Sequence, residues 1–504
     1  MPTIKELRQA GQLEEALALA QEFMRKDPES LDSRRQLGWV LYDYAKKTVQ
    51  TADLDTLLAY TDQILGLGLH REYLLSTQMA WLYYKISQPA LRREPAPYEK
   101  MAEVLEKAKL FEYDLQKDPT PYVLLLRIAM KIKDFYPGLL EFIEWWDLDH
   151  LPESEFQPFA TNQGLKVMAL AEQAYIAYAK RLIDLSYKDP EGIRPRMEAF
   201  LPKLSALMEA HPEYGYPPYF KGQILLVLGR YDEVESVLLP FLRRKPMEIW
   251  GWSTLGSAYD KLGKIELAIA CYAKTLTSRA KPEALLRVRE QLAQVLLRIE
   301  HFAEAKTEMQ EVMRMRQYGG RPLSPRLLEI QASDWFQQTE GFYDNRELYE
   351  HAIPVAEEML YGDAPAYNGV VLMVNAPKRV VAIRLTREID VQADFALLRE
   401  RLQPGDFVRV RVDRRDSRTG PWYKPLTVQM TDDWPSLDVV TPFRGLFEMR
   451  DGQAFGFVDR KYYLPLHLIE MYQLIPGQQI SGIAVIEFNK KRESWGWKVL
   501  KLDL

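Results

Sequence analysis

A 34-residue repeat is the feature that most constrains the fold of this chain. One copy has apolar and small residues at Trp252, Leu255, Gly256, Tyr259, Gly263, Ala268 and Tyr272. A second copy lies 34 residues earlier, at Gly222, Leu225, Gly229, Val234 and Leu238. With three extra residues inserted, a third follows at Leu292, Ala293, Leu296, Ala305 and Met309. A fixed period of this length predicts a solenoid, in which each unit buries its apolar face against its neighbours.

The spacing within one unit predicts a pair of antiparallel helices. Small residues at Gly256 and Ala268 let the two helices approach, while Tyr272 and its apolar neighbours fill the groove between them. The pattern resembles that of tetratricopeptide (TPR) repeats, although Thr275 stands where that family prefers alanine. The N-terminus follows the same pattern at Gly11, Ala16, Ala20, Pro28, Leu37, Gly38 and Leu41. The resemblance implies a TPR-like helical solenoid over residues 1–315.

The repeat period is not legible between residues about 50 and 210, although amphipathic helical stretches continue there. Two interpretations remain open for this region. It is either a set of divergent hairpins of the same array or an unrelated all-α domain inserted into it. Residues 316–365 are predicted to hold a linker and a helix, because Gly319, Gly320 and Pro322 interrupt the helical pattern.

Beyond Pro365 the period of the apolar residues changes to 2. In residues 379–385 and 407–412, β-branched side chains alternate with charged ones, as in half-buried strands. Two copies of one plan follow each other, with equivalent glycines in an opening strand and in a Pro-Gly turn: Gly369 and Gly405, then Gly445 and Gly477. Strands this short and closely spaced, with a helical or loop excursion before the turn, suit five-stranded barrels of the OB type.

The predicted fold class is therefore α + β multidomain. An N-terminal α-helical TPR-like solenoid is followed by two small OB/cold-shock-like β-barrels, at residues 366–432 and 440–504. The alternative is a single β-sandwich shared between the two halves.

The second β module carries the most specific motif, which runs through Gly445–Phe447, Ala454–Val458, Tyr463, Leu464, Ile469 and Leu474–Gly482. These residues resemble a cold-shock domain, especially the RNA-binding one at the N-terminus of the Rho transcription terminator. In that family, rings on two strands stack on single-stranded bases, and the matching positions are Phe455, Phe457 and Tyr463. This sequence departs from the family pattern at two places. Gln453-Ala454 stands where the family has a basic residue, and Tyr463-Leu464-Pro465 stands where it has a histidine-bearing strand.

The residues support this interpretation without the family. Phe455 and Phe457 are two apart on a strand and share a face, and Gly456 between them admits a closely approaching chain. Such a row fits base stacking, at about 1–3 kcal/mol per base. The alternatives are that the rings point into the barrel, or that the barrel serves as a protein-docking platform.

Charge is unevenly distributed along the chain. The whole sequence carries −5, whereas residues 366–504 contain 21 Lys and Arg against 17 Asp and Glu, a net charge of +4. Basic residues predicted to neutralise phosphates are Arg460, Lys461, Lys490, Lys491 and Arg492 near the rings, and Arg409 and Arg411 on one strand face of the first module. The alternative for Arg409 and Arg411 is an ordinary solvated face partly neutralised by neighbouring aspartates.

The TPR resemblance further implies a concave surface that binds a protein partner. The positions that line this surface in the family correspond to Tyr216, Tyr219, Gln223, Trp250, Ser253, Ser257 and Asp260. For Trp250 the alternative is packing between repeats, since large rings also fill solenoid cores.

Signals for an enzyme are weak. The sequence has no phosphate-binding loop, no nucleophile elbow and no histidine pair at the spacing of a helical zinc site. The single cysteine, Cys271, excludes a disulfide framework and favours a reducing compartment, so the cytoplasm is expected. One acid–histidine cluster, Asp147, Asp149, His150, Glu153 and Glu155, leaves a metal or acid–base role as an alternative to a polar loop.

The sequence thus predicts a non-enzymatic adaptor with no cofactor and no bound metal. Its solenoid is expected to hold a protein partner, and its barrels to contact single-stranded nucleic acid, RNA more than DNA. The alternatives are a pure protein–protein scaffold and an enzyme centred on Asp147 to Glu155. A salt titration separates the first two, because nucleic-acid binding weakens steeply with salt.

Overall fold

The computed structural model describes residues 2–114, 117–160, 164–398, 400–417, 420–450, 452–489 and 493–503, without the side chains of Lys166 and Ser417. The chain forms two compact units, Met1–Asn345 and Arg346–Leu504. Within the described ranges, no helix is both long and apolar enough to cross a membrane.

Helices make up nearly all of the first unit. They are α1 (Ile4–Gln9), α2 (Leu13–Lys26), α3 (Leu31–Thr51), α4 (Leu54–Gly66), α5 (Tyr73–Ala90), α6 (Tyr98–Ala108), α7 (Thr120–Ile132), α8 (Leu139–Trp146), α9 (Leu170–Ser186), α10 (Pro190–Ala210), α11 (Pro217–Leu228), α12 (Tyr231–Arg244), α13 (Ile249–Lys261), α14 (Ile265–Leu276), α15 (Pro282–Arg298), α16 (Phe302–Tyr318), α17 (Pro325–Ala332) and α18 (Asp334–Gln338). Between α8 and α9 lie two 3-10 turns, Leu148–His150 and Glu153–Phe156, and a small hairpin, β1 (Phe159–Ala160) with β2 (Lys166–Val167).

The helices form eight successive hairpins, from α1–α2 to α15–α16. The odd-numbered helices also touch one another in an unbroken row, α1 on α3, α3 on α5 and so on to α13 on α15. This row passes through residues 50–210, where the sequence shows no period. The structure therefore favours divergent hairpins of one array over an inserted domain.

Small residues at the helix contacts have the role that the repeat predicts. A Cβ added at Gly256 would lie 2.8 Å from a ring carbon of Tyr272, and one at Gly222 would lie 2.9 Å from Leu238. Trp252, Leu255, Tyr259, Ala268 and Tyr272 are all buried. The repeated positions are thus the ones at which neighbouring helices meet.

The second unit begins with one helix and continues as two β modules. Its elements are α19 (Arg346–Tyr361), β3 (Ala366–Asn375), β4 (Val380–Arg384), β5 (Asp390–Asp394), β6 (Phe407–Ser417), β7 (Gly420–Met430), β8 (Val440–Glu448), β9 (Phe455–Val458), β10 (Tyr462–Pro465), α20 (Leu466–Met471), β11 (Gln479–Asn489) and β12 (Ser494–Leu502). A 3-10 turn at Phe395–Leu397 follows β5, in the place that α20 occupies after β10.

Both modules have the strand order of an OB-type barrel. The second is closed, in the order β10-β12-β11-β8-β9, with β10 parallel to β12 and its other pairs antiparallel. The first has the equivalent order β5-β4-β3-β6-β7, and its end strands β5 and β7 lie side by side without a hydrogen-bonded ladder. Each module has its own core, one around Val381 and Val410 and one around Phe447 and Val499. Two barrels, rather than one shared sandwich, are therefore present.

The Pro-Gly turns show how closely the modules repeat each other. Gly405 and Gly477 have positive φ angles of 93° and 89°, which glycine adopts without strain. Gly405 N donates to Val371 O at 2.9 Å, and Gly477 N donates to Phe447 O at 2.7 Å. The same bond thus fastens the turn to the opening strand in both copies.

An apolar interface joins the two modules. Val370 of the first module packs with Val440, Ile483 and Val485 of the second, all buried. At its margin Arg384, on β4, donates a hydrogen bond to the carbonyl oxygen of Ile486, on β11. The two barrels therefore pack against each other within one compact unit.

Candidate nucleic-acid interface

Three aromatic rings form a cluster on the outer face of the second barrel. Strands β9 and β10 are antiparallel, with Phe457 opposite Tyr463 and Phe455 opposite Pro465. The ring centroids of Phe455 and Phe457 are 5.9 Å apart, those of Phe455 and Tyr463 5.5 Å, and those of Phe457 and Tyr463 5.9 Å. All three side chains are half-buried, whereas Val458 and Leu464 are in the core. The rings therefore face outward, and we call these three residues the ring platform.

Local backbone geometry fixes the ring platform. A Cβ at Gly456 would lie 2.7 Å from the carbonyl oxygen of Glu448 and would also strike the Phe447 ring, so only glycine lets β9 pack against β8 here. The tight turn from β9 to β10 has positive φ at Asp459 and Arg460. The Asp459 carboxylate accepts a hydrogen bond from the Leu446 backbone N–H at 3.0 Å, which ties the turn to β8.

The predicted basic residues near the ring platform have different environments. Arg460 forms an ion pair with Glu448 at 3.1 Å, but both side chains are largely in solvent. The ammonium group of Lys461 lies 5.0 Å from the centroid of the Tyr462 ring. Lys490, Lys491 and Arg492 lie outside the described residues. Surface pairs such as Arg460–Glu448 are weak, so the guanidinium is accessible to a phosphate.

The structure adds a cation that sequence reasoning missed. Lys498, on β12, is the register partner of Tyr463 through the parallel pairing of β10 and β12, and it pairs with Glu487 at 3.2 Å. Only the barrel closure reveals this proximity, since the two residues are 35 positions apart in the chain. Lys498 thus extends the ring platform with a positive charge.

The two tryptophans of β12 differ in exposure. Trp497 packs against the barrel core. Trp495 is 40% exposed and contacts Phe488, which is 43% exposed, with ring centroids 5.3 Å apart. The guanidinium carbon of Arg387, from the first module, lies 5.4 Å from the Trp495 ring centroid. Sequence reasoning missed both Phe488 and Arg387, because their proximity to Trp495 depends on hairpin register and module packing.

In the first module, Arg409 and Arg411 lie on one face of β6, opposite the buried Val408, Val410 and Val412. Arg409 is exposed. Arg411 instead pairs with Glu358 at 2.6 Å and donates to the carbonyl oxygens of Gly362 and Ala364 at 3.1 and 3.0 Å. Its guanidinium thus fastens the end of α19 to the barrel, so we do not include Arg411 in the phosphate-contacting surface.

The residues expected to bind a protein lie on α11 and α13, with Tyr216 directly before α11. Several of them connect neighbouring hairpins. Gln223 donates to Thr254, Ser257 accepts from Gln291 at 3.0 Å, and Asp260 pairs with Arg298.

Three of the residues expected to bind a protein are aromatic. Tyr216 is 38% and Trp250 45% exposed, and Ser253, on the same helix as Trp250, is half-buried. Burial raises the pKa of Tyr219 to about 12, and its ring stacks on Phe241. Tyr216 and Trp250 therefore offer the most ring surface to a partner.

Three acids of the acid–histidine cluster are engaged in ion pairs. Lys203 lies 3.0 Å from an Asp147 oxygen and 2.7 Å from an Asp149 oxygen. Burial acts to raise the pKa of Asp147, but the hydrogen bonds from Lys203 and from the Asp149 backbone N–H, together with the positive charge of Lys203, lower the pKa below its ordinary value. Glu155 pairs with Arg127 at 2.7 Å. In the part of the chain that the structure describes, no group of three His, Cys, Asp or Glu side chains is arranged to hold a metal ion.

Two family models match parts of the chain. Residues 441–502 match S1/CSD-like domain 2 of the TOTE conflict systems, which coincides with the closed barrel. Residues 215–356 match a domain of unknown function, DUF7017. A solenoid of TPR-like hairpins followed by OB/cold-shock-like modules, the architecture that the sequence predicts, is thereby confirmed.

Three solved structures show a distant likeness to this chain. MamA from Desulfovibrio magneticus RS-1, from residue 41 to its end, and a MamA RS-1 ArsTM double mutant are each 16% identical, covering 48% of this chain and 96% of theirs, with TM-scores of 0.25. A circular tandem repeat protein with a novel repeat topology is 13% identical, covering 71% of this chain and 76% of its own, with a TM-score of 0.18. No curated protein matches the chain.

Proposed function

We propose that this protein is a non-enzymatic adaptor that binds single-stranded nucleic acid on its tandem OB-type modules and a protein partner on its helical array. The observation that carries the first half is the outward-facing ring platform. The match to an S1/CSD-like domain and the resemblance to the Rho RNA-binding domain support it and favour RNA.

The chemistry of the ring platform suits unpaired bases. Three half-exposed rings within 6 Å of one another offer π-faces to which any base can stack, at about 1–3 kcal/mol per base. Lys498 and Arg460 border the rings and can contact the phosphates between stacked bases. A duplex buries its base faces, so this arrangement selects single strands.

The helical array supports the second half of the proposal. The odd-numbered helices form a continuous row. Tyr216, directly before α11, and Trp250, on α13, expose their rings there among polar side chains. Exposed aromatic rings within a polar surround are the usual composition of a protein-binding surface. We propose that a partner docks there, on α11 and α13.

Binding of labelled single-stranded RNA and DNA to the full-length protein tests the first half. We expect saturable binding, measured by fluorescence anisotropy, that weakens as the salt concentration rises. The triple variant Phe455→Ala, Phe457→Ala, Tyr463→Ala should lose at least tenfold in affinity, because two or more stacking contacts disappear.

The matched control is Tyr472→Ala, which removes a 37% exposed ring at the C-terminal end of α20. It should bind as the wild type does. If the triple variant folds, as judged by its thermal melt, and binds as tightly as the wild type, the ring-platform mechanism is wrong.

One observation favours the alternative of a protein scaffold. Arg460 and Lys498 each have an acidic partner, and Gln453-Ala454 stands where the cold-shock family has a basic residue. A scaffold predicts no saturable binding of single strands even at low salt. The same anisotropy titration therefore decides between the two functions.

A further inference from the structure

We infer that Arg387 of the first module and Trp495 of the second together form a second contact site for the same single strand, with a base on the rings and a phosphate on the guanidinium. This inference rests on the proposed function and deepens it. It means that both barrels bind the strand, whereas the ring platform alone would make the second barrel the binding module and the first a spacer.

The loop that carries Arg387 is held rigidly. Arg384 forms a two-pronged ion pair with Asp390 across its base, at 2.8 and 2.7 Å. The Thr386 hydroxyl accepts hydrogen bonds from the backbone N–H groups of Glu388 and Ile389 at 3.2 and 3.0 Å. Arg384 also donates to Ile486 of the second module. Preorganisation of this kind lowers the entropy lost when a ligand binds.

Arg387 itself is exposed at the top of this loop. Among the described residues, its guanidinium has no acidic partner, and its carbon lies 5.4 Å from the centroid of the Trp495 ring. A guanidinium over an indole is held by the cation–π attraction, and this contact does not use its N–H groups as hydrogen-bond donors. Those donors are therefore available to a phosphate oxygen.

The Trp495 ring beside Arg387 and the neighbouring Phe488 ring are both exposed. Trp495 and Phe488 are 40% and 43% exposed and contact edge to face at 5.3 Å between centroids. They are register partners on the β11–β12 hairpin. Two large apolar rings in water cost free energy unless a ligand covers them. A nucleobase fits, since it stacks on an indole and leaves its polar edges in solvent.

The new site lies on the same strand as Lys498, which borders the ring platform, but its ring is on the other face of that strand. Tyr463 is the register partner of Lys498, and Trp495 lies three residues before Lys498, about 10 Å along the strand. Because side chains alternate between the two faces of a strand, Trp495 points to the side opposite Lys498, the side on which Trp497 packs against the core. Between them, Gly496 is exposed, and a Cβ there would meet nothing within 4 Å. A single strand that leaves the ring platform past Lys498 therefore reaches Trp495 by crossing β12 at Gly496, where no side chain stands in its way.

The full-length protein tests this inference with labelled oligouridylate and oligothymidylate of about 12 nucleotides, within the site sizes known for OB folds. We expect Arg387→Ala and Trp495→Ala each to weaken binding about tenfold. Arg387→Ala should also lower the slope of log affinity against log salt by about 0.7, the value of one phosphate contact on a single strand. Trp495→Ala should leave that slope unchanged, and Arg387→Lys should retain it.

A second Arg–Trp pair provides the matched control. Arg415 lies 5.4 Å from the ring centroid of Trp422, which is 45% exposed, on the β6–β7 hairpin. The double variant Arg415→Ala, Trp422→Ala should bind within twofold of the wild type. Suppose that folded Arg387→Ala and Trp495→Ala keep the wild-type affinity and salt slope, while the ring-platform variant loses binding. That result would overturn the second site alone. Wild-type binding by the ring-platform variant would overturn the proposed function itself.

Discussion

Phe457 and Tyr463 lie directly opposite each other on the antiparallel strands β9 and β10, with ring centroids 5.9 Å apart at an interplanar angle of 74°. Each ring therefore holds the other in place on the outer face of the barrel. Phe455 completes the cluster from one side. This mutual support makes the three rings one surface.

The two rings should behave as a coupled pair. Phe457→Ala and Tyr463→Ala should each weaken single-strand binding by about 1–3 kcal/mol. The double variant should lose less than the sum, because either single change already disorders the remaining ring. Tyr463→Phe should bind as the wild type does. Anisotropy titrations of the wild type, the two single alanine variants and the double variant measure the coupling. Fully additive losses of binding free energy would contradict a shared platform.

Alanine substitutions at Gly456 and Gly496 should have different effects on the stability of the second unit. Gly456→Ala should destabilise the second unit by about 1–3 kcal/mol, because its Cβ collides with β8 and forces the strands apart. Gly496→Ala adds a methyl group into open space and should leave the stability unchanged or raise it slightly. Thermal unfolding followed by circular dichroism compares them. Equal melting temperatures for the two variants would show that β9 is not packed as described.

Arg409 and Arg411 share a strand face but should differ in effect. Arg411→Ala removes an ion pair and two bonds to the end of α19, and we expect a loss of about 1–3 kcal/mol in the free energy of unfolding. Arg409→Ala should stay within about 0.5 kcal/mol of the wild type. Urea denaturation measures both. An Arg411→Ala protein as stable as the wild type would indicate that the contacts of Arg411 with the end of α19 do not contribute to the free energy of unfolding.

Trp250 and Trp252 provide the equivalent comparison in the helical array. Trp252 is 1% exposed and donates its indole N–H to Pro246 O at 2.8 Å, so Trp252→Ala should cost about 3–5 kcal/mol. Trp250 is 45% exposed, and Trp250→Ala should weaken partner binding with little loss of stability. Chemical denaturation measures the free energy of unfolding of both variants. A large destabilisation by Trp250→Ala would assign that ring to packing between repeats.

Cys271 should be unreactive in the folded protein. Burial raises the pKa of its thiol well above the ordinary value, so little thiolate is present at pH 8 and no reagent reaches it. Because the folded pKa is raised, this group's contribution to stability is present below the unfolded pKa of about 8.5 and is lost as the pH rises further. Iodoacetamide should label the denatured but not the native protein, with Cys271→Ala as control. Rapid labelling of the native chain would contradict the burial.

The sequence predicts much of the first unit because its interactions are local. Gly256 and Ala268 are 12 residues apart, and the helices that they bring together are neighbours in the chain. The repeat period therefore reports directly on packing. It fails between residues 50 and 210, where the hairpins diverge in length and only the row of contacts from α3 to α11 shows that they belong to the same array.

The candidate site was predictable only in part. Strand periodicity places Phe455 and Phe457 on one face, and the cold-shock resemblance adds Tyr463. Nothing in the sequence relates Lys498 to Tyr463, since that pairing requires the barrel to close. Arg411 looks like Arg409 in the sequence, and only the position of α19 gives it an internal partner.

By itself, the sequence determined the order of elements, the small residues at helix contacts and the duplicated Pro-Gly turns, because each of these depends on residues close together in the chain. The tertiary structure alone decided which side chains become neighbours across the barrel and between the modules. Arg387 meets Trp495 across 108 positions of sequence because an apolar interface fixes one barrel against the other. Contacts of that range follow from packing, which no local pattern records.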